Sequence, residues 1–467
     1  MNREKPREYC GLCGISKSDS VVEHLYGGLH AQQHRGQEAA GVMLAHKGTC
    51  ELHRSQGLVD DLFSNLPSGV KNTVYERGIS HVRYSTAGGE GIVNAQPLMV
   101  NIQGEQVGIA HNGTICNAPS LRKRLQRDGV IFQTTTDTEL VLHLIARCLT
   151  NHCGDLLNAF AEALLELKGA FCFLLMTKDC LVAARDPMGF RPLAIGDFVS
   201  GGYIVASETI AFDVTGAQFL REVEPGEMVI WGAKNQMESR RYAACERRAH
   251  CIFEHVYFAR PGSYVFGDSV YTMRKAMGRT LAREAPVDAD VVVPVPDSGI
   301  FAAMGYAEEI GLPVDMGFTR NHYVGRTFID PGLVSRKQMV SRKLHPIAEA
   351  VEGKRVCLVE DSIVRGTTSR ARIHTIRQAG AKEVHMRISC PPHRFGCFFG
   401  IDFPERDELV ANKMNLDELC KSLRLDSLAY LSKEGMLACA TAYEPGDYCA
   451  ACFDGNYPVE PEFINQK

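Results

Sequence analysis

The chain has 467 residues, 45% of them apolar and 23% charged, and a formal net charge of −4. That is the balance of a soluble globular protein too long for one ordinary core, so two domains are expected. It argues against nucleic-acid or membrane-surface binding driven by bulk charge.

In chain order, nine mostly polar residues, MNREKPREY, lead to Cys10, with Cys13 close behind. The leader has no hydrophobic segment and is no secretory signal. The stretch 10–240 then carries short apolar runs broken by glycine: GIVNAQPLMVN, VGIAHNG, AFCFLLMTKDCLVAARD and YIVASETIAF. Such punctuation predicts packed strands. GAFCFLLM (169–176), among the longest apolar runs, suits a buried strand and is far short of a membrane span. Between the strands, TDTELVLHLIARCL predicts a helix, because Leu140, Val141, Leu144, Ile145 and Cys148 recur at helical spacing after a Thr/Asp start. The first half is therefore α+β.

The polar stretch 234–250, KNQMESRRYAACERRAH, lacks strong periodicity and reads as a boundary. Beyond it the pattern changes to α/β. ADVVVPVPDSG is a buried strand ending in a Pro/Gly loop, and IFAAMGYAEEIG is a helix. KRVCLVEDSIVRGTTSRARIHTIRQAG repeats strand, polar loop and helix, and KEVHMRISCPP is a further strand. Alternation of this kind predicts a parallel sheet with sites at the carboxyl ends of its strands. The division expected is 1–9, 10–240 and 241–467.

The loop of VCLVEDSIVRGTTS (356–369) sets vicinal carboxylates, Glu360 and Asp361, before Arg365, Gly366, Thr367, Thr368 and Ser369. Glycine admits a ligand to the backbone, hydroxyls and N–H groups donate, and a helix N-terminus favours an anion. An isolated acidic pair here would be an acidic turn before a capped helix. The whole string resembles the phosphoribosyl-pyrophosphate (PRPP) signature of type I phosphoribosyltransferases. That resemblance implies that Glu360 and Asp361 hold the ribose hydroxyls and that the following loop cradles the 5′-phosphate. The usual pair in that family is Asp-Asp, so Glu360 keeps the charge on a longer arm. PVPDSG (294–299) resembles the pyrophosphate loop, with Asp297 and Ser298 facing PRPP and Mg²⁺. The implied Mg²⁺ ligands are Ser298, Glu360 and Asp361. RNHYVGRTFIDP (320–331) resembles a loop whose Arg320 and Arg326 cover the pyrophosphate.

The first half carries an independent signature. CGLCGI, LHAQQHRGQEAAG (29–41), HVRYSTAGG (81–89), AHNGTICN (110–117) and TTTDTE (134–139) resemble, in order and spacing, the class II glutamine amidotransferases. The pattern aligns only with Cys10 as nucleophile. The thiol needs a base, and in that family it is the free α-amine of the mature first residue, which titrates near neutrality. Residues 1–9 block that amine and read as a propeptide. By the same resemblance Arg83 holds the glutamine α-carboxylate and Asp137 its ammonium group. Asn112 and the Gly113 N–H form the oxyanion hole, and His34, Arg35 and Gly36 shape the site.

Seventeen cysteines, an odd number at irregular spacing, suit a reducing cytoplasm rather than a secreted disulfide framework. Cys449 and Cys452 form a CxxC pair, which alone is compatible with zinc, iron–sulfur or redox chemistry. Both signatures in one chain resemble the glutamine PRPP amidotransferases, specifically their propeptide-bearing iron–sulfur class. That resemblance adds Cys251 and Cys397 as ligands of a 4Fe–4S cluster. It implies an αββα glutaminase domain of the N-terminal-nucleophile type before a type I phosphoribosyltransferase domain. The implied reaction makes 5-phosphoribosylamine from PRPP and glutamine, the first committed step of purine synthesis. It also implies a homotetramer, inhibition by purine nucleotides, and no nucleic-acid or membrane partner. The alternatives are another class II amidotransferase, which VEDSIVRGTTS disfavours, and a non-catalytic PRPP-binding regulator, which would need none of the glutaminase motifs.

Overall fold

The computed structural model describes residues 10–84, 91–321, 344–403 and 405–462. The leader 1–9, and Arg326 with most of 320–331, lie outside the described residues.

The amino-terminal half is built from two antiparallel sheets. The seven-stranded sheet runs in the order Gln218–Glu222, Ala194–Asp197, Tyr203–Ala206, Gly11–Ser16, Arg77–Arg83, Ala39–His46, Thr49–Gln56. The six-stranded sheet runs Met237–Arg241, Glu227–Trp231, Leu181–Arg185, Gly169–Met176, Glu105–Ile115, Leu98–Ile102. Alternation along the strands decides what each face buries. Leu12 joins Met43, Ile79, Leu174 and Trp231 between the sheets. Its neighbour Cys13 points the other way, against Leu25 and Leu29 of the helix Val21–Ala31. The outer face of the second sheet is covered by helices Thr138–Cys148 and Leu156–Leu165, where Leu140, Val141, Leu144, Ile145 and Cys148 meet Phe171 and Phe173. The result is the αββα layering expected from sequence. GAFCFLLM is the strand Gly169–Met176, buried at every position.

Two segments differ from their sequence reading. The boundary stretch contains the edge strand Met237–Arg241, paired to Glu227–Trp231. Its outward Glu238, Ser239 and Arg241 hide the apolar periodicity that identifies inner strands. In YIVASETIAF only Tyr203–Ala206 is strand; Ile210–Thr215 is a short helix.

The second half centres on a four-stranded parallel sheet in the order Val291–Pro294, Arg355–Glu360, Glu383–Ile388, Ser427–Tyr430. Its first two strands are continuous runs of Val, Leu and Cys, as a sheet buried on both faces requires. Helices Ile300–Ile310 and Thr367–Gln378 follow those strands. No helix among the described residues is long and apolar enough to cross a membrane.

The halves meet through buried charge. Glu254 accepts Arg35 at 2.6 Å and Arg191 at 3.0 Å, and all three side chains are at most 1% exposed. Glu208 binds the Arg35 Nε, and also accepts His34 at 2.7 Å and the Arg260 N–H at 2.8 Å. Burial pushes the Glu208 carboxyl up, but Arg35 and His34 outweigh it and hold the group well below the usual carboxylate range. Each carboxylate in this network thus has a guanidinium, the condition for burying ions.

Candidate active sites

Cys10 stands immediately before the central strand Gly11–Ser16, 9% exposed, with its thiol directed at the Tyr84 carbonyl. It shares a cavity of about 20 Å³, room for about one water, with Arg83, Gln96, His111, Gly113 and Asp137. Burial pushes the Cys10 thiol up to about 12 against the opposing pull of the Arg83 guanidinium. At neutral pH the group is therefore a thiol, and attack requires a base that takes its proton.

Arg83 ends its strand opposite Ala39 and binds Glu38 at 2.9 Å. Gly36 makes this possible: a Cβ there would lie 2.7 Å from the Arg83 backbone. Asp137 begins the helix Thr138–Cys148; its carboxylate accepts the Ile115 N–H at 3.0 Å and lies 3.4 Å from His111 Nδ1. Burial raises it, but His111 and these N–H donors prevail and hold it below the usual carboxylate range. Asn112 and Gly113 sit in the strand Glu105–Ile115, paired to Cys172 and Phe171. Gly113 has φ +142°, and a Cβ would collide with the Ala170 carbonyl. Asn112 Nδ2 reaches the Ser207 hydroxyl at 3.4 Å, while its buried Oδ1 has no partner among the described residues. Of the glutaminase residues expected from sequence, Cys10, Arg83, Gly113 and Asp137 line one cavity, Asn112 precedes Gly113 in its strand, and His34 and Arg35 turn instead to Glu208 and Glu254.

Sequence reasoning missed Ser207, Glu38 and Glu208. The Ser207 hydroxyl accepts the Leu12 N–H at 3.1 Å and contacts Asn112, so it ties the Cys10 strand in one sheet to the Asn112 strand in the other. The available signal was a polar Ser-Glu pair inside the apolar run YIVASETIAF.

The second site lies at the carboxyl ends of two neighbouring parallel strands. Val295 N–H donates to the Val359 carbonyl at 2.9 Å, which brings the loops after Pro294 and Glu360 together. The Ser298 hydroxyl donates to Asp361, and Arg320 pairs with Asp297. Gly366, at φ +77°, caps the helix Thr367–Gln378, whose first turn carries Thr367, Thr368 and Ser369. Arg365 is held by Glu408, and its buried Nε and one Nη have no partner among the described residues. Glu360 and Asp361 are engaged from different sides. The Glu360 carboxylate turns to Arg372 and Ser369, whereas Asp361 and Ser298 face each other. The longer arm accounts for the difference, because it reaches back to the helix.

The four candidate cluster ligands also converge. Cys251 and Cys449 are directly paired in a short parallel ladder, Cys452 lies in the turn of helix that follows, and the Phe399 N–H donates to Cys397 Sγ at 3.3 Å. Burial pushes Cys251 up to about 11, with Cys397 adding to it. It pushes Cys449 and Cys452 well above the ordinary thiol value, reinforced in both by Cys251 and Cys397. Cys116, just past the Asn112 strand, touches the Phe398 carbonyl at 3.4 Å.

This combination of an αββα layer and a buried strand-leading thiol defines a glutamine amidotransferase, and residues 81–214 match the family model described as "Glutamine amidotransferase domain". The chain is 45% identical over 467 residues to the chloroplastic amidophosphoribosyltransferase of Vigna aconitifolia, covering 99% of this chain and 94% of that one. To the Bacillus subtilis amidophosphoribosyltransferase it is 45% identical, covering 97% and 94%. It is similar to the solved B. subtilis glutamine PRPP amidotransferase complexed with ADP and GMP, with a TM-score of 0.89, 44% identity and coverage of 97% and 98%. The chain belongs to the amidophosphoribosyltransferases. It is an enzyme of the glutamine-dependent first step of purine biosynthesis.

Proposed function

We propose that the two sites divide the reaction as follows. Cys10 attacks the glutamine carboxamide, Asn112 and the Gly113 N–H receive the developing oxyanion, and Arg83 and Asp137 hold the two ends of the amino acid. Collapse of the tetrahedral adduct breaks the C–N bond, expels ammonia and leaves a γ-glutamyl thioester, which water hydrolyses to glutamate and the free thiol. Ammonia passes inside the protein to the second site and displaces pyrophosphate from C1 of PRPP. The carrying observation is the convergence of Cys10, Arg83, His111 and Asp137 on one cavity. The thiol raised by burial supports the need for an α-amine base, and hence for removal of residues 1–9 to expose it. In the second domain Asp297, Ser298, Arg320, Arg326, Glu360, Asp361 and Arg365–Ser369 bind PRPP. Hard oxygen donors at Asp361 and Ser298 fit a hydrated magnesium ion, which would neutralise pyrophosphate charge. The domain division we adopt is 10–240 and 241–467.

Cys251, Cys397, Cys449 and Cys452 would hold a 4Fe–4S cluster as a structural clamp. Mutual proximity of the four cysteines, two buried and two half-buried, supports this, and soft thiolates suit such a group. Among the described residues no group of three or more His, Cys, Asp and Glu side chains is already gathered as for a bound metal ion. A tetramer inhibited by purine nucleotides, working in a reducing cytoplasm, completes the reading. The nucleotide-bound B. subtilis relative supports the inhibitor class.

The test is PRPP-dependent glutamate release by anaerobically purified protein, with intact mass and with iron and sulfide analysis. Expected are Cys10 as first residue and close to one cluster per chain. Full glutaminase activity with Met1–Tyr9 retained, or zinc without inorganic sulfide, refutes the corresponding part.

A further inference from the structure

Leu12 stands two residues beyond Cys10 on the central strand, and both of its backbone groups meet one residue. Its N–H donates to the Ser207 hydroxyl at 3.1 Å, and its carbonyl accepts the Ser207 N–H at 3.1 Å. Ser207 follows the strand Tyr203–Ala206, whose Ala206 pairs with Cys13, so Leu12 and Ser207 are the next pair along that ladder. A hydrogen-bonded antiparallel pair exchanges two backbone N–H···O bonds. Here the hydroxyl takes the place of the second carbonyl, which sets a side-chain oxygen beside the start of the strand that Cys10 leads. The same oxygen meets Asn112 Nδ2, on the other sheet, at 3.4 Å. Asn112 and Ser207 are both 0% exposed, and the Asn112 Oδ1 has no partner among the described residues. Among those residues Ser207 is the one hydrogen-bond partner of the Asn112 amide. The hydroxyl is itself fixed from behind, because Glu208 accepts the Arg260 N–H and the Ser263 hydroxyl, each at 2.8 Å, besides its pairing with Arg35.

We infer that Ser207 is a positioning residue for the glutaminase: its hydroxyl sets the Asn112 amide at a fixed place over the strand that Cys10 leads. This rests on reading Asn112 as an oxyanion donor. The Asn112 Nδ2 carries two hydrogens. One goes to Ser207, and the other is left for the glutamine carboxamide oxygen when Cys10 attacks. That oxygen gains its charge only as the carbon becomes tetrahedral, so a donor helps to the extent that it is aimed beforehand. Without the hydroxyl, no other hydrogen bond among the described residues holds the amide against rotation about its Cβ–Cγ bond, and its N–H no longer stays aimed. Arg83 and Asp137 have partners of their own, Glu38 and the Ile115 N–H, so the grip on the amino acid is set elsewhere. The loss of Ser207 therefore falls on the attack and not on the binding of glutamine.

The experiment uses the holoenzyme and compares glutamine-supported with ammonia-supported synthesis at saturating PRPP. S207A is expected to lower the glutamine kcat about tenfold, part of the roughly hundredfold that loss of an oxyanion donor costs, and to leave the glutamine KM within about twofold of the parent's. Ammonia-supported synthesis should stay near the parent's, which shows that the chain has folded. N112A should lower the glutamine kcat about a hundredfold. S207A/N112A should match N112A within about twofold, because a hydroxyl that acts through the amide has nothing left to hold. A residue that merely supports the fold would add its loss to that of N112A. Should S207A not fold, S207C decides by the same measures, since a thiol is of nearly the same size and a weak acceptor. A glutamine kcat in S207A within about twofold of the parent's, a rise in KM with kcat unchanged, or effects of S207A and N112A that multiply overturns the inference. N112A separates the two readings. If N112A lowers kcat and S207A does not, only the role of Ser207 fails; if N112A also keeps the parent's glutamine kcat, Asn112 has been misread as an oxyanion donor.

Discussion

The two halves build their sites from different materials. In the amino-terminal half the groups sit in or against the strands themselves, between two sheets, and Cys10 is 9% exposed. In the carboxyl-terminal half they sit on loops beyond the strand ends, where the Asp297 side chain is 59% exposed and that of Arg320 42%. Strand-borne groups are fixed by ladder register and by clearance, which is why Gly36 and Gly113 border backbone too close for a Cβ. Loop-borne groups are fixed by side-chain partners, such as Ser298 with Asp361. A rigid slot suits one small amide. An open loop pair suits a large polyanion that brings its own metal.

The largest expected effect tests whether the halves are chemically separable. Cys10→Ala should lower glutamine-supported synthesis at least about a thousandfold, while ammonia-supported synthesis at high pH stays near normal. Loss of both would show that the slot also serves the loops. Asp361→Ala should reverse the pattern of sparing: both nitrogen sources fail by about a hundredfold, and covalent labelling of Cys10 by a glutamine analogue with an electrophilic side chain persists. Label absent from that variant would contradict the division.

Glu254→Gln probes the bridge. It removes the buried acid that Arg35 and Arg191 share and leaves Arg35 only its bond to Glu208 among the ion pairs described above, so chemical denaturation should show a loss of about 3 kcal/mol. Cys13→Ala should cost about 1–2 kcal/mol through lost packing and spare both activities. The Cys13 thiol already lies within 2.7 Å of where a Cβ on Gly28 would stand, so it is a wall against the helix. Label found on Cys13 would break the assignment of the nucleophile.

The smallest effect is acid sensitivity. Burial pushes His81 down to about 3. The folded state keeps this imidazole neutral, whereas the unfolded chain protonates it near 6.5. Its contribution is complete above that value and is lost as pH falls toward the folded one. The denaturant midpoint should drop as pH falls from about 6.5 toward about 3, and His81→Gln should flatten part of that slope.

Much of this was legible in the chain. The strand 169–176 and the helix 138–148 declare themselves by run length and period, and their apolar positions are buried. The motif residues are legible because loops that approach a ligand tolerate few residue types. The rest depends on partners far away in sequence. Ser207 acts on a residue 195 positions away, and Arg35 on one 219 positions away, so no local pattern reveals either. Arg372 resembles any solvated helix arginine until the fold brings it to Glu360. The edge strand Met237–Arg241 is unreadable for the opposite reason, since one flank meets only water.

The bridge across the halves also bears on how such a chain can be divided or recombined. A fragment ending at residue 240 would keep Arg35, Arg191 and Glu208 but lose Glu254 and the Phe399 carbonyl that binds Arg191. It would surface with guanidinium groups shaped for a carboxylate it no longer owns. Grafting this glutaminase onto another acceptor domain therefore requires the recipient to supply an acid at that one point, a restriction on modular evolution written in a single glutamate.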